Sequence, residues 1–375
     1  MAGRTAKERE SLARQNAALM AVFERAGFEQ IAPDIIQPAD IFLERSGEDI
    51  RSRTFVFNDP EGRELCLRPD LTVPACRFHL SHASQPEKEA RYSYLGPAFR
   101  FPDEKLSPQE FTQAGLEWFG AADAIAAEAR MLKLAISALE AAGASNLKVT
   151  LGDVGLFAGL LADAQMPERW RRQLQHQFWR PEAFKSLLEN FAAGEAKKRS
   201  SISDVIDTLG FTSPTLAVAS WMEKFDVPQQ GARGIEEVSA RLAEKHADRS
   251  EAPLSASVVA GIENYLSLKG GATEVGAELK NIAQGNSYTV ACAAFEKRLS
   301  TLEEQGLNTK RFAFSANFGR EIEYYTGFVF QIEVNGVAVA GGGRYDDMLR
   351  DLGARAQIPA FGFAIHTERL QAVLA

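Results

Sequence analysis

Cysteine is scarce in this chain. Cys66, Cys76 and Cys292 are odd in number and widely spaced, so they supply neither a disulfide framework nor a zinc-ligand pattern. A reducing, cytoplasmic setting is expected. The five histidines, His79, His82, His176, His246 and His366, are scattered as well, and no metal site is expected. Long apolar runs are missing: no uncharged stretch approaches the roughly 18 residues that would span a bilayer. The opening "MAGRTAKERESLARQNAALM" is charged where a signal peptide has its apolar centre. No membrane association is therefore expected. Positive charge is in deficit, with 42 Lys and Arg against 50 Asp and Glu, a net charge of −8. That disfavours nucleic acid as the main partner, because phosphate binding wants a basic face. G-x-S-x-G, P-loop, dinucleotide and H-E-x-x-H patterns are all absent.

What is present is a soluble globular composition, 45% apolar and 25% charged, in 375 residues. Residues 6–27 read as an amphipathic helix closing at Gly27. "RTFVFNDPEGRELCL" reads as a hairpin with strands 53–58 and 63–68 around the turn Asp59-Pro60-Glu61-Gly62. A helix starts near Leu71 with Asp70 placed to cap it. "RYSYLGPAFRFPDEKLSPQEFTQAGLEWF" (91–119) gives two strands around a charged loop, followed by an alanine-rich helix over 121–143 and a strand in "NLKVTLGDV". From 156 to 304 the periodicity is helical and β-like runs are few. After that, strands return and a final helix closes the chain. Strands without βαβ alternation predict an α+β fold with an antiparallel sheet flanked by helices. The core is expected over 1–155 and 305–375, interrupted by a helical insertion over 156–304.

Strand 109–119 places Gln113, Gly115 and Glu117 on one face. Strand 320–334 alternates too, with Tyr324 on the face assigned to the core and Glu323, Tyr325 and Gly327 on the other. A sheet with one wet face would give the same pattern, but the repeated glycines mark close approach of a ligand or backbone. "AGGGRYDDML" reads as a glycine-rich loop between strand and helix, with Gly342, Arg344 and Tyr345 as possible pocket lining. Arg100, Arg320 and Arg369 could surround an anion. Together these residues suit a zwitterion with a polar side chain, such as an amino acid.

Six segments, in order, resemble the class II aminoacyl-tRNA synthetases, specifically the histidyl-tRNA synthetase core. "GFEQIAPDIIQPADIF" is similar to its first motif and "LRPDLTVPACR" to the segment holding the substrate amino group. "YLGPAFRF…QEFTQAGLEWFG" resembles the second motif. "REIEYYTGFVF" and "AGGGRYDDML" resemble the histidine-binding signatures, and "PAFGFAIHTERL" the third motif. Departures accompany the likeness. The second-motif loop carries Phe101, Pro102 and acids with Lys105 as its one base. His366 stands where a small glycine leaves room for a nucleotide. An anticodon-binding domain is not expected, since six residues follow Arg369.

Such a pattern resembles the regulatory subunits of ATP phosphoribosyltransferase. The resemblance implies a non-catalytic, allosteric protein without cofactor that serves the first step of histidine biosynthesis. It implies L-histidine as ligand, a homodimer formed around 27–45, and a short-form catalytic phosphoribosyltransferase partner in a hetero-octamer. The histidine site would comprise Asp70, Thr72, Arg100, Gln113, Glu117, Arg320, Tyr324 and Tyr325. Charge pairing places the ligand ammonium near Asp70 and Gln113, its carboxylate near Arg320, and its imidazole near Glu117 and the tyrosines. Two other readings compete: a truncated synthetase-like enzyme that activates an amino acid with ATP, and a nucleic-acid-binding relic. ATP–pyrophosphate exchange separates the first from a regulatory subunit, and the acidic charge counts against the second.

Overall fold

The computed structural model describes residues 3–45, 48–102, 109–194, 240, 244, 247–248, 251–283, 285–318 and 324–374. Helix α1 (Ala6–Arg25) opens with a capping box, in which Thr5 accepts from the Glu8 N–H and Glu8 accepts from the Thr5 N–H. It closes just before Gly27, whose φ of +83° is the left-handed turn that glycine allows. Strands β1 (Glu29–Gln30) and β2 (Ile36–Pro38) follow, then α2 (Ala39–Arg45), α3 (Glu48–Ser52), β3 (Val56–Asn58), β4 (Glu64–Leu67) and α4 (Thr72–His82). Next come β5 (Ala90–Phe99), β6 (Glu110–Phe119), α5 (Ala124–Ala141), β7 (Lys148–Asp153) and α6 (Val154–Asp163). After α7 (Glu168–Gln177) and α8 (Pro181–Ala193), the described chain resumes with α9 (Ala256–Ser267), β8 (Lys269–Gly271), α10 (Ala272–Leu279) and α11 (Asn286–Glu304). It ends with β9 (Ala313–Ser315), β10 (Phe328–Val334), β11 (Val337–Arg344), α12 (Met348–Asp351), β12 (Ala360–His366) and α13 (Thr367–Leu374).

Nine strands form one sheet in the order β1-β5-β6-β12-β11-β10-β7-β9-β8, and β2-β4-β3 form a second. Most pairings are antiparallel, as the pattern predicts; β1 with β5 and β7 with β9 are parallel. The large sheet is covered on one side by α1 and α5, where Phe23 meets Phe363 edge-to-face at 5.7 Å. Register sets which residues share the opposite side. Gly115 and Glu117 lie across from Ala364 and Gly362, which lie across from Gly341 and Gly343.

The chain divides into two compact units, Met1–Asp163 with Asn264–Ala375, and Ala164–Glu263. The 156–304 stretch, read from sequence as one helical insertion, is therefore not uniform. β8 extends the large sheet by pairing with β9, α11 packs on α5 and α6, and Phe295 of α11 meets Phe314 of β9 edge-to-face at 5.2 Å. These are core elements because their apolar faces are buried by core helices. In the second unit, Trp170 of α7 stacks on Phe191 of α8 at 4.3 Å and donates to Asp248.

Candidate functional site

The site is built on the sheet face away from α1 and α5. Glu117 is wholly buried there. Tyr94 on β5 donates to its Oε1 at 3.0 Å, Tyr345 donates to its Oε2, and the Thr72 hydroxyl bonds it as well. Burial lifts the Glu117 carboxyl to about 8, against the pull of those three hydroxyls. A one-sided wet sheet does not describe β6, since both its faces are covered from Phe111 to Phe119 apart from half-buried Thr112.

Gly115 does make room, but a side chain takes it. A Cβ there would sit 2.5 Å from the Tyr94 hydroxyl. Gly115 lies directly across from Tyr94, so the gap seats a phenol rather than a ligand. Gly362 does the same for Glu117, whose Oε2 would overlap any added Cβ. Gly341 differs: a Cβ there would meet nothing closer than the Phe330 carbonyl at 3.6 Å. With its half-buried neighbour Ala364, Gly341 forms the open part of this floor.

Asp70 stands at the turn from β4 into α4. Its Oδ1 accepts from the Val73 N–H at 3.2 Å, although the N-cap position itself is Leu71, one residue later than the sequence suggests. Its Oδ2 is buried with no hydrogen-bond partner. Burial raises the Asp70 carboxyl, and Arg100 partly offsets this. Gln113 is buried and accepts from the Leu71 N–H at 3.1 Å, tying β6 to the same turn. Arg100 donates from Nε to the Pro69 carbonyl at 2.7 Å. The orphaned Asp70 oxygen is the acceptor a cationic ligand group would satisfy.

Three phenols converge opposite. Tyr324 lies with its ring 4.9 Å from Tyr325 and 5.7 Å from Tyr345. Burial and the neighbouring Asp70 and Glu117 carboxyls push the Tyr324 hydroxyl up. The strand expected over 320–334 begins only at Phe328. Tyr324 therefore faces the site rather than the core, freed from the alternation that assigned it there. Arg320 and Glu323 lie outside the described residues, as does Lys105.

"AGGGR" is strand, not loop: residues 341–343 pair with β10 and β12. Gly342 lies across from Phe363 on the helix-covered face, so it does not line the site. Arg344 is on that face too, paired with Asp346 at 2.6 Å. Tyr345, by contrast, reaches Glu117 as a lining residue should. Tyr94 was missed by sequence reasoning, although a glycine opposite an aromatic on the neighbouring strand is the signal for it.

Beyond the open floor, the His366 ring stacks on Phe111 at 4.7 Å and 19°. Its contacts hold it neutral, because burial and the flanking Arg369 and Arg100 push it down to about 3. His366 thereby covers one face of the Phe111 ring.

The family model described as histidyl-tRNA synthetase matches residues 3–246 and 208–370. The ATP phosphoribosyltransferase regulatory subunit/histidyl-tRNA synthetase of Bacillus halodurans C superposes with a TM-score of 0.71 at 21% identity, covering 100% of this chain and 81% of that one. A histidine–tRNA ligase subunit of Alicyclobacillus acidocaldarius gives 0.62 at 24%, covering 100% and 95%. The fold is thus that of the class II, histidyl-tRNA synthetase-like proteins, an α+β sheet flanked by helices. The regulatory subunit of ATP phosphoribosyltransferase from Brucella anthropi is 33% identical over 94% of this chain and 95% of its own. That of Sinorhizobium fredii is 34% identical over 95% and 96%. The chain belongs to this family of ATP phosphoribosyltransferase regulatory subunits.

Proposed function

We propose that this chain is the histidine-responsive, non-catalytic partner of a short-form ATP phosphoribosyltransferase. It binds L-histidine between Asp70, Glu117 and the three tyrosines, and conveys feedback on the first step of histidine biosynthesis within a hetero-octamer. The observation that carries the reading is the buried, unpartnered Asp70 Oδ2 near a second buried carboxyl group, that of Glu117. An α-ammonium satisfies Asp70, and the phenols around Glu117 suit an imidazole. Arg320 supplies the cation for the ligand carboxylate. His366 over Phe111 speaks against an amino-acid-activating enzyme, since ATP would have to displace it.

A homodimer completes the proposal. Ile35, Ile36, Val56, Phe57 and Phe101 are exposed and cluster on and beside the small β2-β4-β3 sheet, overlapping the region expected to pair.

Calorimetry with L-histidine, and assay of the catalytic partner with and without this chain, test the reading. Histidine binding and histidine-dependent inhibition of the complex are expected. Histidine-dependent ATP–pyrophosphate exchange above background would sink it. So would unchanged histidine affinity in both Glu117→Gln and Arg320→Ala.

A further inference from the structure

On the helix-covered face of the sheet, behind the site, five charged side chains meet. Arg298 of α11 donates from Nε to Glu128 of α5 at 2.6 Å and from Nη1 to Asp153, at the end of β7, at 2.7 Å. All three are buried. Arg344 of β11 brings Nη1 to 3.6 Å from Glu128 and pairs through Nε and Nη2 with Asp346, both at 2.6 Å. Asp346 accepts from the Ala360 N–H at 3.1 Å, and its own N–H donates to Thr326 Oγ1 at 3.1 Å. The Thr326 N–H donates to the Arg344 carbonyl at 2.8 Å. Between Arg344 and Asp346 sits Tyr345, the donor to Glu117. Immediately before Thr326 come Tyr324 and Tyr325. Both segments that carry these site phenols therefore end on one charge network.

We propose that Arg298 and Glu128 are positioning residues for the ligand site, fixing Arg344 and Asp346 and through them the rings of Tyr345, Tyr324 and Tyr325. The inference rests on the histidine-binding reading for its affinity readout only. Its physical basis is competition for Arg344. Glu128 Oε1 has no hydrogen-bond partner, and its approach to Arg344 is loose. The Arg298 fork holds Glu128 on its other oxygen, which leaves Arg344 to Asp346. Without Arg298, two buried carboxylates lose their cation, and Arg344 is the next cation along. Drawing Arg344 toward Glu128 releases Asp346, and the backbone on both sides of Tyr345 loses its anchors.

The test uses the full chain with tyrosines labelled with ¹³C at Cζ; seven tyrosines make the spectrum tractable. The Tyr345 resonance is assigned with Tyr345→Phe. L-Histidine affinity and the ligand-free tyrosine resonances are measured in Arg298→Met, Arg298→Lys, Arg298→Met/Glu128→Leu, and the control Leu302→Ala, another buried position on α11. Arg298→Met is expected to shift Tyr345 and weaken histidine binding between two- and thirtyfold, on the order seen for residues coupled to a site at a distance. The double variant should recover part of that loss, because the uncompensated charge is gone. Leu302→Ala should lower stability without moving either readout. Should Arg298→Met fail to fold, Arg298→Lys, which keeps the charge and loses the fork, decides by the same two readouts. If wild type binds no histidine, the binding reading falls, and the ligand-free Tyr345 shift alone decides the positioning role. An unmoved Tyr345 resonance with wild-type affinity in the folded Arg298 variants overturns the proposal.

Discussion

Two titratable side chains dominate the site, buried Glu117 and half-buried His366, and each makes pH a probe of it. Burial moves Glu117 from the ordinary 4.5 to about 8. Folding takes up a proton on this carboxyl between those values, so its contribution to stability falls as pH rises through that window and is level above about 8. Glu117→Gln removes the titration. The thermal midpoint of the ligand-free protein should therefore drop less from pH 6 to pH 8 in the variant than in wild type, as scanning calorimetry would show. The amide can accept from one phenol but not both, and above about pH 8, where the Glu117 carboxyl is ionised, the charge is lost as well. At pH 9, with that carboxyl ionised, histidine affinity should fall about ten- to a hundredfold, the worth of one charge-assisted hydrogen bond. His366 has the opposite sign. Its folded value lies near 3, below the ordinary 6.5, so the unfolded chain takes up the proton. Its contribution is complete above about 6.5 and is lost as pH falls toward 3. His366→Asn should flatten the acid side of the stability profile. His366→Gly should also bare Phe111 and let ATP bind measurably by calorimetry; a variant still blind to ATP would show that stacking is not what keeps the nucleotide out.

At the scale of elements, the glycines of β11 and β12 show what was legible in the sequence. Alternation in "QEFTQAGLEWF" correctly put Gln113, Gly115 and Glu117 on one side of a strand, because side-chain direction follows from a period of two. That Asp70 would accept from a first-turn N–H was legible from local chemistry, although the N-cap itself is Leu71. What filled Gly115 was not, because Tyr94 comes from a neighbouring strand and register is a tertiary fact. "AGGGR" reads as a loop because glycine favours turns; here it is strand because neighbouring groups need the space its missing Cβ leaves. Arg298 and Glu128 gave no signal, being charges at helical spacing that usually face water. The glycines can be ranked by this argument. Gly362→Ala should cost about 1–3 kcal/mol or more in denaturant unfolding, since its Cβ overlaps Glu117 and buried Tyr345 cannot yield. Gly341→Ala has open space above it and should be neutral or stabilising by about 0.4–1 kcal/mol. Equal costs at the two positions would contradict the placement of the open floor.

For the molecule as a whole, the apolar face of the small sheet is the feature that folding leaves unsatisfied. Ile36 pairs with Leu67 and Phe57 with Leu65, so these side chains share one side of β2-β4-β3. Ile36 is 52% exposed, and Phe101, stacked on Phe55 at 4.3 Å, is 50% exposed. Five of the eight large exposed hydrophobics among the described residues lie on or beside the small sheet, with Ile36 and Phe57 on this side and Val56, across from Cys66, on the other. Concentration of that kind marks an interface rather than scattered surface residues. The occupant proposed is a second copy. A twofold interface pairs a patch with itself, which suits an apolar centre bordered by charges of both signs, here Glu61, Arg63 and Glu64. Ile36→Asp/Phe57→Asp places two charges on each side of that centre. Since neither residue touches Glu117 or Asp70, histidine affinity should survive while sedimentation velocity shows the dimer replaced by monomer at micromolar concentration. If the double variant remains a dimer but no longer joins the catalytic subunit, the face belongs to the hetero-complex instead. A wild-type chain that sediments as a monomer would remove the second copy from the argument altogether.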